Sequence, residues 1–223
     1  MSPIIVLSLT ASMFLAWSQP AQYVGRPSAQ NGCEYAGKPI WNGQLRAIVP
    51  GCDNRIVSPD KRWVLRIDDI RRVMLVVAPN VRLSFRSMQP PGMGSWAPTS
   101  QEFFVNDGEG SGETSRLRVF RIRSNRLIED TTIHDELVEI YRREQKCSAT
   151  QLDPDVWGLG WSGNGDELYI LVQSTIHRPC GPPVQFAVFE VRFSDGAVLR
   201  ELSAALARKE LGSFLPAELR KVE

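Results

Sequence analysis

The chain carries few residues of the types that catalyse reactions or hold metals, because its 223 residues include two histidines and four cysteines. His134 precedes Asp135 and Glu136 in a segment with helical periodicity, which favours a solvated histidine on the polar face of a helix. His177 stands next to Arg178-Pro179-Cys180 in a predicted loop and is a candidate ligand-binding residue. Neither histidine lies in a local pattern that indicates a catalytic triad.

A serine nucleophile has no better support. The segment Gly160-Trp161-Ser162-Gly163-Asn164 lacks the final glycine of the G-x-S-x-G elbow of α/β-hydrolases, and a turn between strands explains it better. The sequence therefore identifies no catalytic residue. A hydrolase whose site assembles in space, from His177 and a loop carboxylate, stays open as the alternative to a non-catalytic protein.

The most distinctive polar loop spans residues 106–113. Asp107, Glu109 and Ser111 alternate there and Gly112 takes the sixth place, as in the first half of an EF-hand calcium loop. The twelfth place, where an EF-hand has a bidentate glutamate, holds Arg118. We therefore predict a hairpin loop and no cofactor, with calcium bound by these oxygen atoms as the alternative.

The four cysteines are spaced for disulfides and not for a metal. Cys33, Cys52, Cys147 and Cys180 contain no C-x-x-C pair, which zinc sites require. In an oxidising compartment an even number of cysteines predicts disulfide bonds. Of the three possible connectivities we favour the nearest neighbours, Cys33–Cys52 and Cys147–Cys180.

The N-terminus has the features of a secretory signal. Its first 18 residues carry no charged side chain, Ile4 to Trp17 are mostly apolar, and Ala16 and Ser18 supply the small residues of a cleavage site. The apolar run is shorter than the roughly 20 residues that span a bilayer. We predict a cleaved signal peptide over 1–18, a polar leader over 19–31 and export to the periplasm or the extracellular space, with an uncleaved anchor as the alternative.

Charge and composition limit the classes of partner. The chain has 26 basic and 25 acidic residues, a net charge of +1 and 43% hydrophobic residues, which is typical of a globular protein. A balanced charge gives no electrostatic reason to bind nucleic acid or an anionic membrane. We predict an unidentified protein or cell-envelope ligand as partner, no nucleic acid, and no stable membrane insertion after cleavage.

Residues 32–223 are predicted to form one mainly β domain. Short alternating runs recur, for example Arg62 to Ile67 and Arg116 to Ile122, and Ser194-Asp195-Gly196 indicates a hairpin. Two helical regions interrupt the pattern: an insertion at about 130–146, with an apolar stripe from Ile133 to Tyr141, and a C-terminal region at about 202–222.

Most tryptophans are predicted to pack in the core. Trp157 is among them, and the alternative for it is that Pro154 to Gly158 form an exposed loop that presents its ring to a ligand.

Three segments repeat one pattern, in which the end of a strand is followed by a polar turn and then by an apolar strand. They contain Ser58-Pro59-Asp60, Trp96-Ala97-Pro98-Thr99-Ser100 and Trp161-Ser162-Gly163-Asn164-Gly165. The pattern resembles the blades of WD-type and Tol-type β-propellers. The resemblance implies a propeller-like array of about three antiparallel sheets that acts as a binding platform. A β-sandwich with added helices is the alternative fold.

These observations predict an exported, disulfide-stabilised β-repeat protein that acts as a non-catalytic binding or scaffolding module.

Overall fold

The computed structural model describes residues 46–48, 55–68, 73–78, 81–85, 92–108, 115–148, 151, 153–174, 186–212, 215–216 and 219–220. Within these ranges the chain forms thirteen strands and two helices. The strands are β1 (Arg46–Ile48), β2 (Arg55–Val57), β3 (Val64–Asp68), β4 (Val73–Ala78), β5 (Val81–Phe85), β6 (Gly92–Trp96), β7 (Glu102–Asp107), β8 (Arg116–Arg123), β9 (Arg126–Asp130), β10 (Asp155–Trp161), β11 (Glu167–Gln173), β12 (Phe186–Arg192) and β13 (Val198–Ser203). The helices are α1 (Thr132–Gln145) and α2 (Ala204–Leu211).

The strands form three antiparallel sheets in which neighbours in sequence are neighbours in space. The first sheet has the order β2-β3-β4-β5, and the third has the order β10-β11-β12-β13. The second sheet, β6-β7-β8-β9, gains β1 as an additional strand beside β6. The predicted class, a mainly β fold of three antiparallel sheets with a helical insertion and a C-terminal helix, is confirmed.

The predicted repeat corresponds to one turn geometry that occurs three times, between the first two strands of each four-stranded meander. The N–H of the first turn residue donates to the carbonyl five residues later, from Ser58 to Trp63, from Ala97 to Glu102 and from Ser162 to Glu167, at 2.8–2.9 Å. The fourth residue has a positive φ in every copy: Lys61, Ser100 and Gly165. The shared pattern in the sequence therefore encodes a shared backbone conformation.

The three turns lie side by side. The N–H of Asp60 donates to Oγ of Ser100 at 3.0 Å, which joins the first turn to the second. A Cβ atom on Gly165 would lie 3.2 Å from Cγ2 of Thr99, so the third turn packs against the second. The three sheets are thereby aligned at one end.

Two hydrophobic cores fill the spaces between the three sheets, one on each side of the second sheet. Strand β7 is buried on both faces, because Phe103 and Val105 pack towards the first sheet while Phe104 packs towards the third. The core between the first and second sheets also contains Ile56, Trp63, Leu65, Val76, Trp96, Phe120 and Ile122. The core between the second and third sheets is larger, since α1 adds Ile133, Leu137, Val138 and Tyr141 to it.

Polar contacts fix the third sheet to the second. The Asn106 side chain accepts from the N–H of Gly158 at 2.7 Å and donates to its carbonyl at 2.9 Å. Only glycine fits at position 158 without a shift of its neighbours, because a Cβ atom there would lie 2.6 Å from Cε2 of Phe104. The backbone N–H of Ser115 also donates to Oδ1 of Asp155 at 2.7 Å. The backbone of β10 is therefore paired where it faces β7 and β8.

Helix α1 forms where the apolar stripe predicted it. Ile133, Leu137 and Tyr141 are buried against the second core, and Lys146 ends the helix in the left-handed conformation. Burial raises the pKa of Tyr141 to about 12, although its hydrogen bond with Ser174 opposes the shift. No helix among the described residues is long and apolar enough to cross a bilayer.

Helix α2 covers the outer face of the third sheet. Its N-cap, Ser203, accepts a hydrogen bond from the N–H of Leu206, and Gly212 ends the helix with φ of 46°. A third apolar cluster joins Ala207, Leu211, Leu215 and Leu219 to Trp157, Leu171, Phe186, Val188 and Leu202. The predicted hairpin at Ser194-Asp195-Gly196 connects β12 to β13, as expected.

Candidate functional site

A charged groove runs along the solvent side of α1. We call it the α1 groove; it has a volume of about 630 Å³ and is lined by Arg116, His134, Asp135, Val138, Glu139, Arg142, Gln151 and Asp153. Residues of α1 at i and i+4 supply one wall, because such positions share a helix face. Arg116 of β8 and the segment after α1 supply the rest.

Arg142 builds the far wall of the groove. Its guanidinium donates to Oδ1 of Asp153 at 2.6 Å and to the carbonyls of Gln151 at 3.3 Å and Ser148 at 2.9 Å. A guanidinium suits this role because it presents several N–H donors in a fixed plane. The segment after α1 is therefore attached to the helix that it follows.

Arg116 and Asp135 stand at the near wall. Nη2 of Arg116 and Oδ1 of Asp135 are 3.7 Å apart, a long and exposed ion pair of the kind that contributes little to stability. Asp135 also lies in the first turn of α1, where the helix dipole favours a negative charge. A ligand could exchange with this ion pair at small cost.

The charge that the groove presents to solvent is mainly negative. The side chains of Asp135 and Asp153 are 62% and 67% exposed, and Glu139 is exposed as well, whereas the side chains of Arg116 and Arg142 are 43% and 19% exposed. Val138 adds a buried apolar floor. The groove therefore suits a polar, cationic ligand with some apolar contact.

The groove includes His134, for which the sequence favours a solvated position on the polar face of the helix, together with residues that the sequence analysis did not select. His134 is half-buried in α1 and shares the groove with the carboxylates of Asp135, Glu139 and Asp153. Among the described residues that line the groove there is no serine, threonine or cysteine. The arrangement can bind charged groups.

Asp107, the first candidate calcium ligand, lies at the end of β7 in an ion pair with Arg118. Nη1 of Arg118 is 3.5 Å from Oδ2 of Asp107, and its Nε and Nη2 donate to the carboxylate of Glu129 at 2.7 and 2.8 Å. Burial alone would lower the pKa of Arg118, but Glu129 and Asp107 raise it. The carboxylate of Asp107 therefore already faces a cation. Glu109 and Ser111 lie outside the described residues.

Trp157 is buried, as the favoured interpretation predicts, and the alternative of an exposed loop around it is wrong. Residues from Asp155 onwards form β10, and Trp157 is 6% exposed in the cluster beneath α2. The error arises because Pro154 and Gly158 are turn formers, yet Gly158 is needed for its approach to Phe104. A buried indole cannot form an aromatic binding surface.

Of the remaining candidates, the four cysteines and His177, the structure describes only Cys147. Cys147 follows α1, is half-buried and is not a free thiol. Cys33, Cys52, Cys180 and His177 lie outside the described residues, so the two pairings stay predictions. Within the described ranges, no group of histidine, cysteine and carboxylate side chains is arranged to hold a metal.

Sequence reasoning missed most of the α1 groove. The i, i+4 pairs Asp135 with Glu139 and Val138 with Arg142 indicate two adjacent stripes on a helix, and this signal was available. Nothing local in the sequence shows that Arg116 and Asp153 face those stripes.

A scan against protein-family models finds no model that matches the chain, and a search of curated proteins finds no match either. Function is therefore inferred from the geometry of the chain itself.

Proposed function

We propose that this protein is an exported, disulfide-stabilised binding module that holds a cationic segment of a protein or cell-envelope ligand in the α1 groove. The observation that carries the proposal is the set of exposed carboxylates that face one another across the groove, those of Asp135 and Glu139 on α1 and that of Asp153 on the segment after α1, above the apolar floor of Val138. Lysine or arginine side chains of a ligand would pair with these carboxylates, while their methylene groups contact Val138.

Rigid surroundings support a binding role. The helix that carries the groove is anchored by Ile133, Leu137 and Tyr141, and Arg142 fixes the opposite wall. A preformed groove loses little conformational entropy when it binds, which favours affinity. The open shape suits an extended segment that passes through the groove.

Calorimetric titration of the full chain with an acetylated tri-lysine peptide at low salt tests the groove. We expect Glu139→Gln to weaken binding about 2- to 5-fold, the range of an exposed ion pair. Glu136→Gln is the matched control, because Glu136 lies on the exposed side of α1 and does not line the groove. Equal losses in the two variants, or no heat of binding at all, would reject the groove as the site.

Export and disulfide formation are tested by intact-mass spectrometry of the chain expressed in a Gram-negative host. We expect the chain from the periplasmic fraction to lack residues 1–18, and no cysteine to be alkylated before reduction. A full-length, reduced chain in the cytoplasm contradicts this part of the proposal.

A hydrolase is the second candidate, and one observation favours it. His134 shares the α1 groove with three carboxylates, which is the material for general acid–base activation of water. Incubation of the tri-lysine peptide with the full chain, followed by mass spectrometry, separates the two functions. Intact peptide supports the binding module, and cleavage that His134→Gln abolishes supports the hydrolase.

A further inference from the structure

The outer face of the first sheet is the open end of a packing interface that occurs twice inside the molecule. The aligned turns make Val57 equivalent to Trp96 and Trp161, the residues that come directly before each turn. Trp96 is buried against the first sheet and donates to the carbonyl of Ile56 at 2.8 Å. Trp161 is buried against Phe104 of the second sheet, with 5.9 Å between ring centroids. Each later sheet therefore packs on the preceding one through this face, whereas Val57 is 42% exposed.

The open face carries an aliphatic row that crosses three strands. Val57 of β2 lies opposite Val64 of β3, which in turn lies opposite Val77 of β4. The equivalent pair in the second sheet, Phe103 and Phe120, is buried against the first sheet. The three valines belong to none of the apolar clusters of the described residues. A sheet face that remained in water would carry polar side chains at these positions, so the row indicates a surface that a partner covers.

Arginines border the valine row where the internal interfaces are apolar. Counted from the aligned turns, Arg66 takes the place of Val105 in the second sheet and of Ile170 in the third, and both of these are buried. Arg55 lies directly opposite Arg66, both are exposed, and neither forms an ion pair with a described residue. Like charges at directly opposite positions destabilise a sheet, and a negative charge placed between them would remove the repulsion.

The open face as a whole has an excess of positive charge. Besides Arg55 and Arg66, the strand register places Arg82 of β5 and Asp68 of β3 at outward positions. We call the described side chains that form its centre the β2–β4 face: Arg55, Val57, Val64, Arg66 and Val77.

The other end of the molecule shows how this chain covers an end face. On the outer face of the third sheet, Ala207 and Leu211 of α2 pack with Leu171 and Val188 of the strands beneath them. Arrays of stacked repeats need a cover at each end, because a terminal unit otherwise leaves an apolar face in water. One amphipathic helix is therefore a sufficient type of cover for a four-stranded sheet of this protein.

Charge distinguishes the possible occupants of the β2–β4 face. Residues 19–45 contain Arg26 and Lys38 against Glu34 alone, so that segment does not complement the arginines. A second copy that docked through the same face would bring like charges together, and the outer face of its third sheet is already covered by α2. An occupant that combines aliphatic side chains with carboxylates complements both features.

We propose that the β2–β4 face binds an acidic amphipathic helix of another protein. Its aliphatic stripe would lie on Val57, Val64 and Val77, and carboxylates beside the stripe would pair with Arg55 and Arg66. A guanidinium can form two parallel hydrogen bonds with a carboxylate, which fixes the orientation of the helix. The residues of the α1 groove take no part in this face, so the proposal does not depend on ligand binding in the groove.

Fluorescence anisotropy of a labelled peptide, titrated with the full chain, tests the proposal. The probe is a peptide of about 16 residues, long enough to form a helix, with leucines at i, i+3, i+4 and i+7 and glutamates on both sides of that stripe. We expect saturable binding, which Arg66→Glu weakens about 10-fold or more because it places like charges together. Arg66→Lys should retain the affinity within about 3-fold, since the charge is kept. Val57→Asp should also weaken binding, because it puts a carboxylate into the valine row.

Arg126→Glu is the matched control, since Arg126 is exposed and lies on β9. It should bind the acidic peptide like the unchanged chain. A peptide with lysine in place of every glutamate should not lose affinity in Arg66→Glu. Circular dichroism of every variant identifies those that fail to fold. Absence of binding by the acidic peptide, or equal weakening by Arg66→Glu and Arg126→Glu, would overturn the proposal.

Two further measurements identify a different occupant. Cosedimentation with vesicles of phosphatidylglycerol and phosphatidylcholine, which Arg66→Glu abolishes while the acidic peptide does not bind, would assign the face to an anionic membrane surface instead. Self-association in sedimentation velocity that Arg66→Glu abolishes would assign it to a second copy. Either result would overturn the proposal, and neither bears on the tri-lysine titration of the α1 groove.

Discussion

The outer faces of the first and third sheets have the same kind of strand order and opposite surroundings. The outer face of the third sheet is buried beneath α2, Leu215 and Leu219, and its Leu171, Val188 and Leu202 are inaccessible to solvent. The outer face of the first sheet presents Arg55, Val57 and Arg66 to solvent. The outer face of the same type of meander can therefore be covered by a helix or exposed to solvent. The residues at its outward positions decide which of the two occurs.

The cover of the third sheet is held by specific contacts as well as apolar burial. Nε of Arg208 donates to the carbonyl of Leu219 at 2.7 Å, and its guanidinium lies 5.2 Å from the ring centroid of Phe186. Nε of Arg220 donates to the carbonyl of Leu215 at 2.7 Å. These contacts hold the segment after α2 against the third sheet. Among the described residues, no comparable segment covers the outer face of the first sheet.

Matched truncations at the two faces should give the largest difference. We expect Leu211→Ala to lower the free energy of unfolding by about 2–5 kcal/mol, because it removes a buried side chain and leaves a cavity. Val57→Ala should cost less than about 1 kcal/mol, since the side chain is exposed and the loss is mainly of β propensity. Urea unfolding of the two variants and of the unchanged chain measures both.

Equal losses of unfolding free energy in the two variants would contradict the difference between the two outer faces. A large loss for Val57→Ala would mean that the outer face of the first sheet is covered within the chain. A small loss for Leu211→Ala would mean that α2 contributes little to the third sheet.

A smaller and pH-dependent effect is expected at the edge of the third sheet. Burial, and then Glu144, raise the pKa of Glu201 above its unfolded value, so its ionised form disfavours the folded state. The contribution of this group to stability therefore rises as the pH falls through its folded pKa. Glu201→Gln should stabilise the chain by less than about 0.5 kcal/mol at pH 7, and the gain should vanish below about pH 4.

Urea unfolding as a function of pH, with Glu136→Gln as the control, measures this gain. A gain that persists unchanged at low pH would show that the effect is not electrostatic. A loss at pH 7 would show that the ionised form of Glu201 is stabilised by its surroundings.

Local periodicity was sufficient to predict α1 and the repeated turns. The spacing of Ile133, Leu137 and Tyr141 gave α1, and the repeated turns after Val57, Trp96 and Trp161 predicted the division into sheets. In each case the determining residues lie within a few positions of one another. A turn or a helix turn depends on neighbours, so its sequence pattern is visible without the rest of the chain.

Contacts between distant residues escaped prediction. Asn106 and Gly158 are 52 positions apart, and nothing in either neighbourhood indicates that a side-chain amide will pair with that backbone. Arg116 reaches the α1 groove because β8 lies beside α1, which is a property of packing. The alternative of a loop at Trp157 failed for the same reason, because nothing near Gly158 in the sequence shows that this glycine packs against Phe104.

One measurement tests the binding role most directly: titration of the ¹⁵N-labelled full chain with the tri-lysine peptide, followed by amide chemical shifts. We predict saturable shifts for Asp135, Glu139 and Asp153, unchanged shifts for Arg55 and Arg66, and intact peptide at the end. Shifts that are absent, that lie outside the α1 groove, or that accompany cleavage of the peptide would contradict the proposal that this chain is a non-catalytic binding module.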